Sequence, residues 1–188
     1  MVEPFVEIYQ GDRQDYEGLP DSPRANTPTD SISGYEAAGY VTTALGMGYQ
    51  LGFEASSDHI STHISFTNVW VSSLTRPGII AAMKARHLYG STDYIVADFR
   101  SGTHFMGDSF TNTGAPVFSV RLFGTNPFQK VVLVKNGNVI YSTSGDRVLS
   151  FSYSDTTAKS GDKAYYWVRG VQTDGQVVWV SPMWVTIQ

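Results

Sequence analysis

The chain changes rhythm near its middle. Up to about residue 110, short apolar runs alternate with two stretches of helical period. Strands are predicted at about 4–9, 51–56, 66–72 and 93–100, the first of them Phe5-Val6-Glu7-Ile8-Tyr9. Ser33-x-x-Glu36 has the form of a capping box and opens a predicted helix to about Gly48, with Tyr35, Ala38, Val41 and Leu45 on one face. Thr75-Arg76-Pro77 opens a second, with Thr75 as N-cap and Pro77 in the first turn, where no amide partner is lost. Ile79, Ile80 and Met83 form its inner face and Gly90 ends it. This order of strands and helices is α/β in character.

From Pro116 onward only a period of two remains. Alternating runs occupy 117–124, 129–135, 138–143, 147–153, 164–172, 176–180 and 183–187, and Asn136-Gly137 and Asp174-Gly175 are hairpin signals between them. Such spacing predicts a β-sandwich of about seven strands. Asp162-x-Ala164-x-Tyr166-x-Val168 has the spacing of an immunoglobulin-type tyrosine corner, with Val168 where a disulfide cysteine would stand. The expected fold is α+β, mainly β: an α/β segment at 1–110, then an immunoglobulin-like sandwich at 113–188.

Composition narrows the functions. Hydrophobic residues make up 41% of 188 positions and charged residues 16%, as in a globular chain. The net charge is -4 and no basic block occurs, which argues against nucleic acid as a partner. No apolar run reaches membrane-spanning length and the first residues are no signal peptide. Cysteine is absent, so thiolate sites and disulfides are excluded. The chain begins almost inside a strand, and reads as an excised segment of a longer protein.

The densest chemistry lies in Phe53-Glu54-Ala55-Ser56-Ser57-Asp58-His59-Ile60-Ser61-Thr62-His63. A predicted strand leads into a small polar loop that offers Asp58, His59 and His63 within six positions. Carboxylate and imidazole suit borderline divalent metals such as zinc, manganese or iron. The alternative is a polar turn in which Asp58 caps backbone amides and the histidines face solvent. The long polar connection at 12–31 contains Arg13 and Tyr16, both ligand-contacting types, and reads either as a lid or as a surface loop. Glu7 stands near the end of the first strand. His87 reads as a capping or packed histidine and His104 as a surface one. No glycine-rich phosphate loop, dinucleotide fingerprint or nucleophile elbow occurs. Tyr165, Trp167, Trp179 and Trp184 offer a different chemistry, an aromatic surface for a glycan or a partner domain.

Three stretches follow one another in a familiar order: Phe5-Val6-Glu7-Ile8-Tyr9-Gln10-Gly11, Leu51-Gly52-Phe53-Glu54-Ala55-Ser56-Ser57-Asp58-His59, and Arg86-His87-Leu88-Tyr89-Gly90 with Thr92. With Tyr165-Tyr166-Trp167-Val168-Arg169-Gly170-Val171-Gln172 and Ser181-Pro182-Met183-Trp184-Val185, the sequence resembles an uncharacterised family of large bacterial proteins related to PHP (polymerase and histidinol phosphatase) phosphoesterases. The resemblance implies a carboxyl-terminal part of a longer protein, carrying the last elements of a distorted (β/α)₇ barrel with a metal centre at its strand ends. It implies metal-dependent hydrolysis of a phosphoester by the parent, with Asp58 and His59 as ligands, His63 by proximity only, Glu7 as a polar group behind them and the 12–31 loop as a substrate cover. The family motif is Asp, one spacer, then His, whereas here His59 follows Asp58 directly. The amino-terminal His-x-His motif is absent, so the isolated chain is expected to be inactive. Its partners would be the amino-terminal remainder of the parent and, through open barrel edges, a second copy of itself.

Overall fold

The computed structural model describes residues 3–11, 15–19, 21–23, 36–59 and 62–188. Strands dominate it. The elements are β1 (Phe5–Gln10), a 3₁₀ turn (Ala37–Gly39), α1 (Val41–Gly46), β2 (Gly52–Ser56), β3 (Phe66–Val69), α2 (Arg76–Lys84), β4 (Leu88–Ser91), β5 (Val96–Ser101), β6 (His104–Phe105), β7 (Ser109–Asn112), β8 (Val117–Phe123), β9 (Phe128–Lys135), β10 (Asn138–Gly145), β11 (Val148–Ser154), β12 (Lys163–Gln172) and β13 (Val177–Ile187).

Two sheets face each other as a sandwich. The larger has the order β10-β9-β12-β13-β4-β3, with β7 added in parallel to the far end of β13; the smaller has the order β11-β8-β5-β6. Alternation explains the smaller sheet. In β8, Phe118, Val120 and Leu122 are buried while Val117, Ser119, Arg121 and Phe123 face out. The inward residues meet Val131, Leu133, Tyr166, Val168, Val178 and Val180 of the larger sheet in one core. Asn136-Gly137 makes the two-residue β9–β10 turn, with φ of 49° and 78°, the left-handed pair that such a turn requires.

A third layer covers the outer face of the larger sheet. β1 and β2 pair in parallel there, and with α1 they bury Ile8, Tyr9, Phe53, Val41 and Leu45 against Val132, Val134, Trp167 and Trp179. This is why the 164–172 run carries no polar face. β12 sends Tyr166 and Val168 into one core, and Tyr165, Trp167 and Val171 into the other.

The expected partial barrel is absent, and the α+β assignment is corrected to a mainly β, sandwich-like architecture. β3 and β4 run antiparallel and extend the sandwich's larger sheet, since Val178, Trp179 and Val180 pair with Ser91, Gly90 and Tyr89. β5, read as the last barrel strand, pairs antiparallel with β8. The only parallel pairs among the described residues are β1–β2 and β7–β13, which cannot make a (β/α) barrel. The helix expected from Ser33 is shorter in its described part. Glu36 caps the 3₁₀ turn through Ala38 N, Tyr40 has ψ 146°, and α1 begins only at Val41; Ser33 and Tyr35 lie outside the described residues. α2 begins as expected, with the Thr75 side chain accepting from Gly78 N at 3.2 Å. Its expected inner face is only partly covered, and Ile80 is exposed.

Tyr166, at the spacing of a tyrosine corner, is held by a side chain and not by the backbone bond of that corner. Tyr166 Oη donates to Asp155 Oδ2 at 2.8 Å, inside the core, and Asp155 also receives Lys135 Nζ at 2.6 Å and Thr157 Oγ1 at 2.6 Å. Tyr166→Phe should therefore cost about 1.5–3 kcal/mol, the range for a hydrogen bond to a charged acceptor. Chemical denaturation of the two proteins measures it; a cost near zero would mean that the bond to Asp155 adds no stability.

Candidate functional site

The loop richest in sequence chemistry is held by serines. Ser57 Oγ donates to Ser65 O at 2.9 Å and accepts from Ile64 N and Ser65 N, both at 3.0 Å. Asp58 stands at φ 53°, a left-handed conformation that short polar residues tolerate. Its Oδ1 lies 3.0 Å from His59 Nδ1, and the His59 side chain is 81% exposed. His63 is exposed, with Nδ1 3.4 Å from Thr62 Oγ1. Among the described residues no three His, Asp or Glu side chains converge as a ligand set. The exposure of His59 and His63 is that of the polar-turn alternative, with Ser57, the residue before Asp58, as an acceptor of backbone amides.

Glu7 sits opposite Glu54 in the parallel pair and accepts from Ser56 Oγ. Burial, with Glu7 alongside, raises the Glu54 pKa. Tyr16 is half-buried against the outer core, its N bonded to Ile8 O at 2.8 Å and its O to Val41 N at 2.9 Å, so it belongs to the third layer. Arg13 lies outside the described residues. His87 is packed, with Nε2 3.0 Å from Asp108 Oδ1 and its ring edge-on to Phe105.

Sequence reasoning missed the buried charges. Arg169, in the middle of β12, points into the outer core and pairs through Nη1 with Glu17 Oε1; both residues are buried. Trp179 Nε1 donates to Glu17 Oε2 at 2.7 Å, and Tyr9 stacks on that indole. Arg169 Nη2 lies 3.0 Å from Asp21 Oδ1 as an ion contact without hydrogen-bond alignment, and Lys130 Nζ reaches Asp21 Oδ2 at 2.6 Å. Burial pushes the Glu17 pKa up to about 8 against the pull of Arg169. A lone Arg inside an apolar strand, Trp167-Val168-Arg169-Gly170-Val171, was the available signal, because buried charges come with partners.

A groove of about 680 Å³ lies where the third layer stops short of the sheet's end. One wall is Leu45, Gly46, Gly48 and Gln50, from the end of α1 and the turn after it. The floor is strand: Tyr165 and Trp184 are cross-strand partners, Lys163 pairs with Thr186, and Trp184 and Thr186 pair with Ser109 and Thr111 of β7. Asn136, from the β9–β10 turn, closes one end. Its Oδ1 accepts from Tyr165 N at 2.9 Å, and Gln50 Oε1 accepts from Ser109 Oγ at 3.2 Å. Of the four aromatics singled out from sequence, Trp167 and Trp179 are wholly buried, Tyr165 is nearly so, and Trp184 is partly buried and lines the groove.

No family model matches the chain. It is 27% identical to an uncharacterised protein of Chlamydia pneumoniae, over 64% of this chain and 22% of that protein. It is 23% identical to one of Chlamydia muridarum, over 98% of this chain and 35% of that protein. The chain thus spans about a fifth to a third of the length of these relatives. Among solved structures, fibronectin(III)-like modules of Clostridium thermocellum CbhA match at 15% identity, covering 49% of this chain and 93% of theirs, with a TM-score of 0.30. A Jonesia denitrificans lytic polysaccharide monooxygenase matches at 8%, covering 78% and 93%, with a TM-score of 0.33. The sandwich is read from its own strand order and not from these likenesses. The relatives are uncharacterised bacterial proteins, as the resemblance implied. Its link to PHP phosphoesterases is overturned, because the would-be barrel strands are antiparallel members of a sandwich.

Two groups of opposite sign should shape the pH profile of stability. Glu17 holds its proton to about pH 8 in the fold and to about pH 4.5 unfolded, so the fold binds more protons between these values and stability falls as pH rises through them. Asp155 behaves oppositely. Burial raises its pKa, but bonds from Lys135, Thr157 and Tyr166 outweigh this and hold it at about 2, so its contribution is lost as pH falls from about 3.8 towards 2. The urea midpoint should peak near pH 4–5, and Glu17→Gln should flatten the alkaline limb. A midpoint that climbs steadily to pH 8 would mean that Arg169 keeps Glu17 ionised.

Proposed function

We propose that the chain is a non-catalytic β-sandwich module that binds a glycan in the groove between α1 and the β7–β13–β12 floor. The observation that supports this reading is the Tyr165–Trp184 cross-strand pair on the floor, with Trp184 partly buried in a lining rich in neutral polar side chains. A pyranose ring has a C–H face and a rim of hydroxyls. An indole matches the first, while amides and hydroxyls, which both donate and accept, match the second. Gln50, Asn136, Ser109, Thr111 and Thr186 supply them. The volume is that of an ordinary small-ligand site.

The lining supports binding over cleavage. Glycoside hydrolysis uses two carboxylates facing the scissile bond, and no Asp or Glu lines this groove among the described residues. Trp184 is also well supported from behind, with Arg86 packed 5.2 Å from its ring centre.

An oligosaccharide array probed with the purified chain, followed by calorimetry on the best ligand, tests the reading. Trp184→Ala should weaken binding at least about tenfold, or 1.4 kcal/mol, while Val148→Ala, on the far sheet, should leave it unchanged. Failure to retain any glycan, or equal affinity in Trp184→Ala, would remove the glycan reading and favour a protein partner.

A further inference from the structure

We infer that the sugar held in this groove is acidic, carrying a carboxylate or a sulfate that Lys163 meets. The inference rests on the glycan reading above and adds the charge of the ligand. The chain as a whole is acidic, with 17 Asp and Glu against 13 Lys and Arg. The groove reverses that sign. Its one ionisable lining residue with a charge at neutral pH is Lys163, and none of the carboxylates among the described residues lines it.

The nearest acids in sequence are engaged elsewhere. Asp162 Oδ2 accepts from Lys159 N at 2.9 Å. Asp108, beside Ser109 of the floor, spends Oδ1 on His87 Nε2 at 3.0 Å and Oδ2 on Phe105 N at 2.7 Å. Lys130 and Lys135 each close on a carboxylate at 2.6 Å, whereas the Lys163 ammonium has no ion pair among the described residues. Behind Trp184 the Arg86 guanidinium, with Nε donating to Gly107 O at 3.0 Å, is offset by the nearby Asp108 carboxylate, which leaves Lys163 as the cation of the groove.

The spacing suits one sugar unit. Lys163 and Tyr165 lie on the same face of β12, two residues or roughly 7 Å apart, and pair across to Thr186 and Trp184. A ring stacked on Trp184 therefore presents an exocyclic acid within reach of a flexible ammonium. One cation with several neutral donors recognises one charge per sugar and does not favour a dense polyanion, whose binding needs clustered Lys and Arg.

The test uses the full chain and oligosaccharides of matched length in three sets: neutral cello-oligomers, carboxylated oligogalacturonates with sialyllactose, and sulfated carrageenan oligomers. At low salt one or both acidic sets should bind at least about tenfold more tightly than the neutral set, and the gap should narrow as salt rises. Lys163→Gln should close the gap by weakening the acidic sets. The carboxylated and sulfated arms identify which acid is recognised. Equal binding of neutral and acidic sets, with no effect of Lys163→Gln, would overturn the acid preference and leave the glycan reading standing. Indifference of all binding to Trp184→Ala, or no binding by any set, would overturn both.

Discussion

The Glu17–Arg169 pair is the constraint on which the layered structure depends. Arg169 projects from the centre of β12 onto a sheet face otherwise built from Tyr165, Trp167 and Val171. A guanidinium there has lost its water, and the cost of an unpaired buried charge is several kcal/mol. Glu17 accepts from Nη1, the Asp21 carboxylate lies 3.0 Å from Nη2, and Trp179 Nε1 donates to the second oxygen of Glu17. A buried pair of this kind adds little net stability over apolar residues of the same shape, yet it is intolerant of any other placement. Its effect is positional: residues 15–19 must lie over β12.

From that placement the third layer follows. The segment around Tyr16 and Glu17 bonds to Ile8 O on one side, and to the amides of Val41 and Thr42 at the head of α1 on the other. The pair thus fastens β1 and α1 to the sandwich together. α1 in turn supplies the wall of the groove at Leu45 and Gly46, and the turn behind it supplies Gln50. A sandwich lacking this layer would expose Trp167, Trp179 and Val134, and would have a flat aromatic face in place of a groove. The groove is a by-product of where one buried acid had to go.

Local pattern revealed strands better than it revealed their partners. β8 to β12 lie close to the runs read from alternation, because a half-buried strand in an antiparallel sandwich is written into every second residue. β5 is just as legible as a strand, with Ala97 and Phe99 inward and Val96 and Arg100 outward. Nothing in those residues says whether the neighbour is parallel or antiparallel, and that choice separated a barrel from a sandwich. The Asp58 loop shows the same limit. Sequence proximity gathered an acid and two histidines, while the bonds that shape the loop belong to Ser57 and Ser65. The groove had no local signature at all, since Gln50, Ser109, Asn136, Lys163 and Trp184 come from five separate segments.

One detail of β13 decides whether that groove has an aromatic floor. The runs 176–180 and 183–187 are a single strand carried through Ser181-Pro182. Val180 pairs with Val168 and Met183 with Tyr166, so β13 spends three residues where β12 spends two. The extra residue inverts the alternation. Val178 and Val180 face the inner core, and so do Met183, Val185 and Ile187; in an unbroken strand residue 184 would have joined the inner set. The bulge is pinned from both sides. Ser181 Oγ donates to Leu88 O and accepts from Phe53 N at 2.8 Å, and Pro182 O accepts from Gly107 N at 2.9 Å. At the same point β4 ends as the neighbour of β13 and β7 takes over. A proline, which cannot donate to a ladder, is tolerated there because the ladder is changing partners. The irregularity that splits the hydrophobic pattern in the sequence is the same one that turns Trp184 outward.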